Sequence, residues 1–236
     1  MPLYSFAMHP LDGANERVNG ARERLDELKP HVQAFRVEKR SSITYDRRPE
    51  TIILNGQQKR VVIGTASTRI FPAPLKLSRL IGEVIQHLRT ALDYLVYELT
   101  RYDAKSIIEH TQFPVADCEK TFKQLLSRYR LKGNLSPEHI ATIERLQPYK
   151  GCNWTKWLAE FSNPDKHKAL TAVASPVTFS PSPGSTEAIL ADKEVNMEGD
   201  IAIRITFSDG TPVIEGLEQL VSQVAKTLNA FNSEFK

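Results

Sequence analysis

A chain of 236 residues that is 41% hydrophobic, 25% charged and 8% aromatic has the composition of a globular protein, not of a disordered or fibrous one, and is long enough to bury a core without covalent staples. A formal net charge of +3 and a pI near 8.8 permit an anionic partner but lack the dense basic footprint of a strong nucleic-acid binder. The two cysteines, Cys118 and Cys152, form no CxxC pair and accompany no His cluster at zinc spacing, so free thiols in a reducing compartment are expected, with no metal and no cofactor.

The first ten residues lack the basic-then-apolar order of a secretory signal, and no apolar run reaches the ~18 residues of a membrane span. A cytoplasmic location without a membrane partner is therefore expected. From Asp12 onward, Ala14, Val18, Ala21, Leu25, Leu28, Val32 and Phe35 recur at steps of four and three, which predicts one helical stripe. Pro30 lies inside it, and a proline there predicts a kink or a break into two stacked helices. Extended character follows from Val37 to Tyr45, and TIILNGQQKRVVIGT reads as two strands turning at Asn55-Gly56.

The strongest element spans about 75–101. Leu77, Leu80, Ile81, Val84, Ile85, Leu88, Ala91, Leu92, Leu95, Val96 and Leu99 cover so wide an arc that this helix is expected at the centre of the core. Asp117 suits the cap of a helix reaching about Tyr129, and Ser136-Pro137-Glu138 opens another that stops before Pro148. A short helix follows, carrying Trp154, Trp157, Leu158 and Phe161, most simply as core or cover residues. The segments VASPVTFS, EAILA and DIAIRITFSDGTPVI alternate like strands, with Asp209-Gly210 as a hairpin turn and the SPSPGST segment as a loop. Leu217, Leu220, Val221, Val224, Leu228, Phe231 and Phe235 then mark a last amphipathic helix.

These elements predict one α+β domain over 1–236. Its β regions, about 36–71 and 172–214, would join into an antiparallel sheet packed on a helical middle of about 74–168 centred on helix 75–101, with a C-terminal helix at about 215–235. No internal repeat stands out.

Six scattered histidines make no HxH, HxxxH or HExxH pattern, and no phosphate loop, GxGxxG or GxSxG occurs. Two polar segments stand out. In HLRTALDYLVYEL, Arg89 and Asp93 are four apart and share a helix flank, while His87 lies on the other flank near Glu83 and Tyr94. The plain reading is an ion pair, and the functional one a pocket at the helix edge. In FSNPDKHKAL, Asn163, Asp165, Lys166 and His167 follow an aromatic helix; they read as a polar helix junction or as a site gripping an anion or moving a proton. Arg36, Lys39, Arg40, Arg47, Arg48, Lys59 and Arg60 cluster on the first β region, where such charges more often keep hairpin edges soluble than track a phosphate backbone.

The order LRTALDYLVYEL, FPV, LQPY and NPDKHK, over roughly 80–170, resembles a group of uncharacterised bacterial cytoplasmic proteins; the resemblance implies that origin and brings no activity with it. The helical middle is also faintly similar to HEPN-type domains, many of them ribonucleases of toxin and defence systems, whose active motif is an Arg followed closely by a His. Here Arg79 and His87, Arg101 and His110, and Arg130 and His139 stand too far apart for that motif, so no HEPN catalytic His carries over.

The reading that follows is a binding module for RNA or another anionic ligand, with Asn163, Asp165, Asp93 and His87 as ligand contacts. One alternative is a metal-independent HEPN-like ribonuclease in which His167 transfers the proton and Lys166 and Arg89 stabilise the phosphate. Another is a non-catalytic interaction or structural module. Apolar stripes on the first and last helices leave room for a homo-oligomer.

Overall fold

Two long helices carry the patterns that organise the chain. The computed structural model describes residues 9–40, 44–54, 56–67, 71–72, 74–162, 171–172, 205–207 and 209–235. Where the sequence predicts one domain, contacts divide the chain into two compact units. The first comprises Met1–Lys29, Pro74–Ala169 and Val213–Lys236, the second Pro30–Ala73 and Leu170–Pro212.

Helix α1 runs from Asp12 to Arg40. Leu11, Ala14, Val18, Ala21, Leu25, Leu28, Val32 and Phe35 are all buried, in alternating steps of three and four. That is the spacing of a coiled-coil seam. Pro30 is accommodated within one helix, which does not divide there. The extended character expected from Val37 is overridden as far as Arg40, because the helix continues past its last seam residue.

In the first unit, α2 (Leu75–Ala104) is a single uninterrupted helix, and every apolar residue expected on its arc is buried. It packs against α5 (Asn153–Phe161) and α6 (Val213–Phe231), so its wide apolar arc is covered from more than one side. Helix α3 (Glu119–Arg128) begins after Cys118, not Asp117, and no side chain caps it. Helix α4 (Pro137–Arg145) starts as its sequence predicts: the Ser136 side chain accepts from His139 N, and Pro137 occupies the first turn. Trp154 is buried in α5 and Trp157 half-buried. The seam of α1 and the stripe Leu217, Leu220, Val221, Val224, Leu228 and Phe231 of α6 are buried within the single chain, so neither is left as a free apolar face.

In the second unit, β1 (Thr44–Leu54) and β2 (Gln57–Ser67) form an antiparallel hairpin in register from Thr44↔Ser67 to Leu54↔Gln57. Gly56 sits at φ +79°, as the two-residue turn requires. Strands β3 (Phe71–Pro72) and β4 (Thr171–Ala172) pair over two residues. A tight turn at Asp209-Gly210 is closed by Phe207 N donating to Thr211 O at 2.9 Å, with Thr206 bridging Pro212.

The α+β expectation is therefore corrected. Among the described residues, which are mostly helical, the two β regions meet only in the two-residue pairing of β3 with β4 and not in the expected sheet. Alternation tells a segment that it can be extended but not which distant strand it pairs with. Val213 and Ile214, expected at the end of a strand, instead begin α6. The segments VASPVTFS, SPSPGST and EAILA lie outside the described residues.

Candidate functional site

Between α2 and α3 the chain runs through a segment around Phe113 and Pro114 that is neither helix nor strand and pairs with no strand among the described residues. Its buried backbone groups still need partners. Three side chains supply them. Arg89 Nη2 donates to Phe113 O at 2.5 Å, and Phe113 N donates to Asp93 Oδ1 at 2.8 Å. The two side chains lie 3.6 Å apart, the spacing of four residues having put them on one flank of α2. From the other side, wholly buried Gln147 accepts from Ala116 N at 2.9 Å and donates to Pro114 O and Ile143 O at 3.0 Å each. Between these grips the Phe113 ring is fully buried. The sequence motifs LRTALD, FPV and LQPY thus meet in one hydrogen-bonded clamp. Burial pushes the Asp93 carboxyl above the usual aspartate range, against the pull of the Arg89 guanidinium and the Phe113 N–H.

A second polar junction ties α4 to the end of α2. Asp103 Oδ2 accepts from Ser136 N at 2.6 Å and lies 2.7 Å from Nδ1 of buried His139. The other ring nitrogen of His139 lies 3.7 Å from Glu234 Oε2. Neither Asp103 nor His139 was singled out from sequence, where the histidines look merely scattered. The buried Gln147 was also missed, although a lone amide between Leu146 and Pro148 was its signal.

The His87 flank of α2 is different. Together with α1 it lines an open groove of about 450 Å³, bordered by Glu16, Arg17, Glu23, Arg24, His87 and Tyr94. Two glycines of α1, Gly13 and Gly20, also line it. A Cβ on Gly20 would stand 2.8 Å from His87 Cε1 and 3.1 Å from its Nδ1, so only glycine leaves the imidazole its place. A Cβ on Gly13 would meet the Tyr94 ring at 3.6 Å, an ordinary contact. These positions expose a repeat that the sequence reading overlooked: GANERVN at 13–19 is followed by GARERLD at 20–26. Gly, Glu and Arg recur one heptad apart, about 10 Å along the helix, opposite His87 and Tyr94, which are themselves seven residues apart.

Charges in the groove are unevenly engaged. Arg24 pairs with Glu27 at 2.6 Å and with Glu83 at 3.8 Å. Arg17 lies over the Tyr94 ring, 5.5 Å from its centroid, and reaches the Tyr94 hydroxyl at 3.4 Å. It has no carboxylate partner among the described residues, and neither ring nitrogen of His87 has a protein partner there.

Of the residues singled out from sequence, the structure brings Arg89 and Asp93 together on the loop and places His87 on the opposite flank. Asn163, Asp165, Lys166 and His167 lie outside the described residues. No group of His, Cys, Asp or Glu suited to a metal occurs among the described residues, and no described helix is long and apolar enough to cross a membrane. Both cysteines are free thiols, Cys118 exposed and Cys152 half-buried. No family model, curated protein or solved structure matches the chain.

Proposed function

We propose that the chain is a non-catalytic binding module that takes a small anionic ligand in the groove between α1 and α2, where Arg17 and His87 meet the negative charge. The supporting observation is that these two side chains line one ligand-sized groove and neither is matched by a carboxylate among the described residues. The imidazole supplies a donor in either tautomer, and the guanidinium suits carboxylate and phosphate oxygens.

RNA is the less favoured anion. Glu16 and Glu23 alternate with Arg17 and Arg24 along the groove and would repel a continuous phosphate chain. Binding is also favoured over HEPN-like cleavage. The Arg89 guanidinium, which cleavage would direct at a transferring phosphate, donates to Phe113 O.

The test is an NMR titration with inorganic phosphate, read at the His87 ring and the Arg17 side chain. Saturable shifts at both are expected, and Arg17→Ala should abolish them without moving the melting temperature. Resonances that stay in place throughout overturn the proposal. So does an oligoribonucleotide that binds more tightly than phosphate while leaving the groove unshifted.

A further inference from the structure

Building on that reading, we infer that the ligand is a zwitterion: its anionic group lies against Arg17 and His87, and its ammonium group is held by Glu16 or Glu23. The groove presents both signs of charge within one cavity. Arg24 is already neutralised by Glu27 and Glu83, which leaves Arg17 as the guanidinium of the groove without a carboxylate partner. Glu16 and Glu23 are exposed and have no ion pair or hydrogen bond among the described residues. A ligand carrying only an anion would be drawn to Arg17 but repelled by two carboxylates on the adjoining stripe of the helix. A ligand carrying only a cation would meet the opposite conflict. A molecule with both charges satisfies both stripes at once.

The heptad repeat strengthens the argument. The two copies place their glutamates about 10 Å apart along α1, with the clearance needed at Gly20 and the arginine without a carboxylate partner among the described residues at Arg17. A free amino acid would set its carboxylate on Arg17 and its ammonium on Glu16, and a short peptide would reach from Arg17 to Glu23. The two share the chemistry of a carboxylate and an ammonium on one small backbone.

The experiment compares four probes by calorimetry on the full chain: alanine, alanylalanine, N-acetyl-alanylalanine and alanylalanine amide. The dipeptide or alanine should bind about tenfold more tightly than either capped form, in line with loss of one hydrogen-bonded charge. Dipeptide over alanine assigns a peptide; equal affinity assigns an amino acid. In the Glu16→Gln, Glu23→Gln double variant, the advantage over the N-acetyl form should vanish. If the N-acetyl form binds as well as the dipeptide to the unaltered protein, the zwitterion inference falls while the anion reading stands. If the amide binds best, or none of the four binds, the zwitterion inference falls, and the phosphate titration decides the anion reading by itself. Glutamine at these exposed helical positions keeps helix propensity and side-chain length, so the variant is expected to fold.

Discussion

The two flanks of α2 carry polar side chains of similar type in opposite circumstances. On one, Arg89 and Asp93 are engaged with the backbone of Phe113, and the segment they hold is gripped again by Gln147. On the other, His87 faces an open groove with no protein partner for its ring nitrogens among the described residues. Charge on a helix edge is therefore a poor guide to function until its neighbours are known. The conspicuous Arg–Asp pair does structural work, and the quieter histidine is the group left available.

The comparison can be broken most severely at Gln147. Gln147→Leu leaves Ala116 N and Pro114 O without their buried partners and should cost about 2–4 kcal/mol in urea unfolding, with no change in the groove's resonances. Asp93→Ala, which orphans Phe113 N, should cost about 1–3 kcal/mol by the same measurement. If both variants melt like the parent, the clamp is not what holds the loop.

A gentler change at Asp93 sharpens the point through pH. Burial raises its folded-state pKa, so the native chain keeps the proton to higher pH than the unfolded chain does. The contribution of this group to stability is greatest where the carboxyl is protonated in both states. It falls as pH rises from the ordinary aspartate range through the raised value, then stays flat. Asp93→Asn keeps an acceptor for Phe113 N and should remove that slope in stability measured from about pH 3 to pH 7. An unaltered slope would locate the titration elsewhere.

The smallest expected change in stability is at Gly20. Gly20→Ala should leave unfolding within about 1 kcal/mol of the parent, because the gain in helix propensity offsets displacement of the His87 ring. Ligand binding in the groove should nonetheless be lost. Retained binding would show that the imidazole's seat against α1 is irrelevant to it.

Much of the helical frame was legible in sequence because its signals are local. The arc of α2, the seam of α1 and the Ser136 cap each declare themselves within a few turns. Asp117 misled because Cys118 holds the cap position one residue later and no side chain was needed there. The expected sheet failed because pairing between distant strands is not written in either strand alone. The site was harder still. The spacing of Arg89 and Asp93 announced that they would be neighbours, but nothing local announced that their shared target was a backbone twenty-odd residues downstream. The groove was readable in principle from two glycines in register with two glutamates and two arginines, a pattern that carries meaning only once His87 and Tyr94 are seen across from it.

That pattern sets which changes of length would keep the α1 seam in phase. Excising residues 13–19 would shorten the helix by about 10 Å yet leave the remaining seam in phase, with Gly20, Glu23 and Arg24 taking the places of Gly13, Glu16 and Arg17. Deleting a single residue there would instead rotate everything on one side of the cut by about 100° and carry the buried stripe out of alignment. The phase of the seam is thus kept by a cut of seven residues and lost with a cut of one.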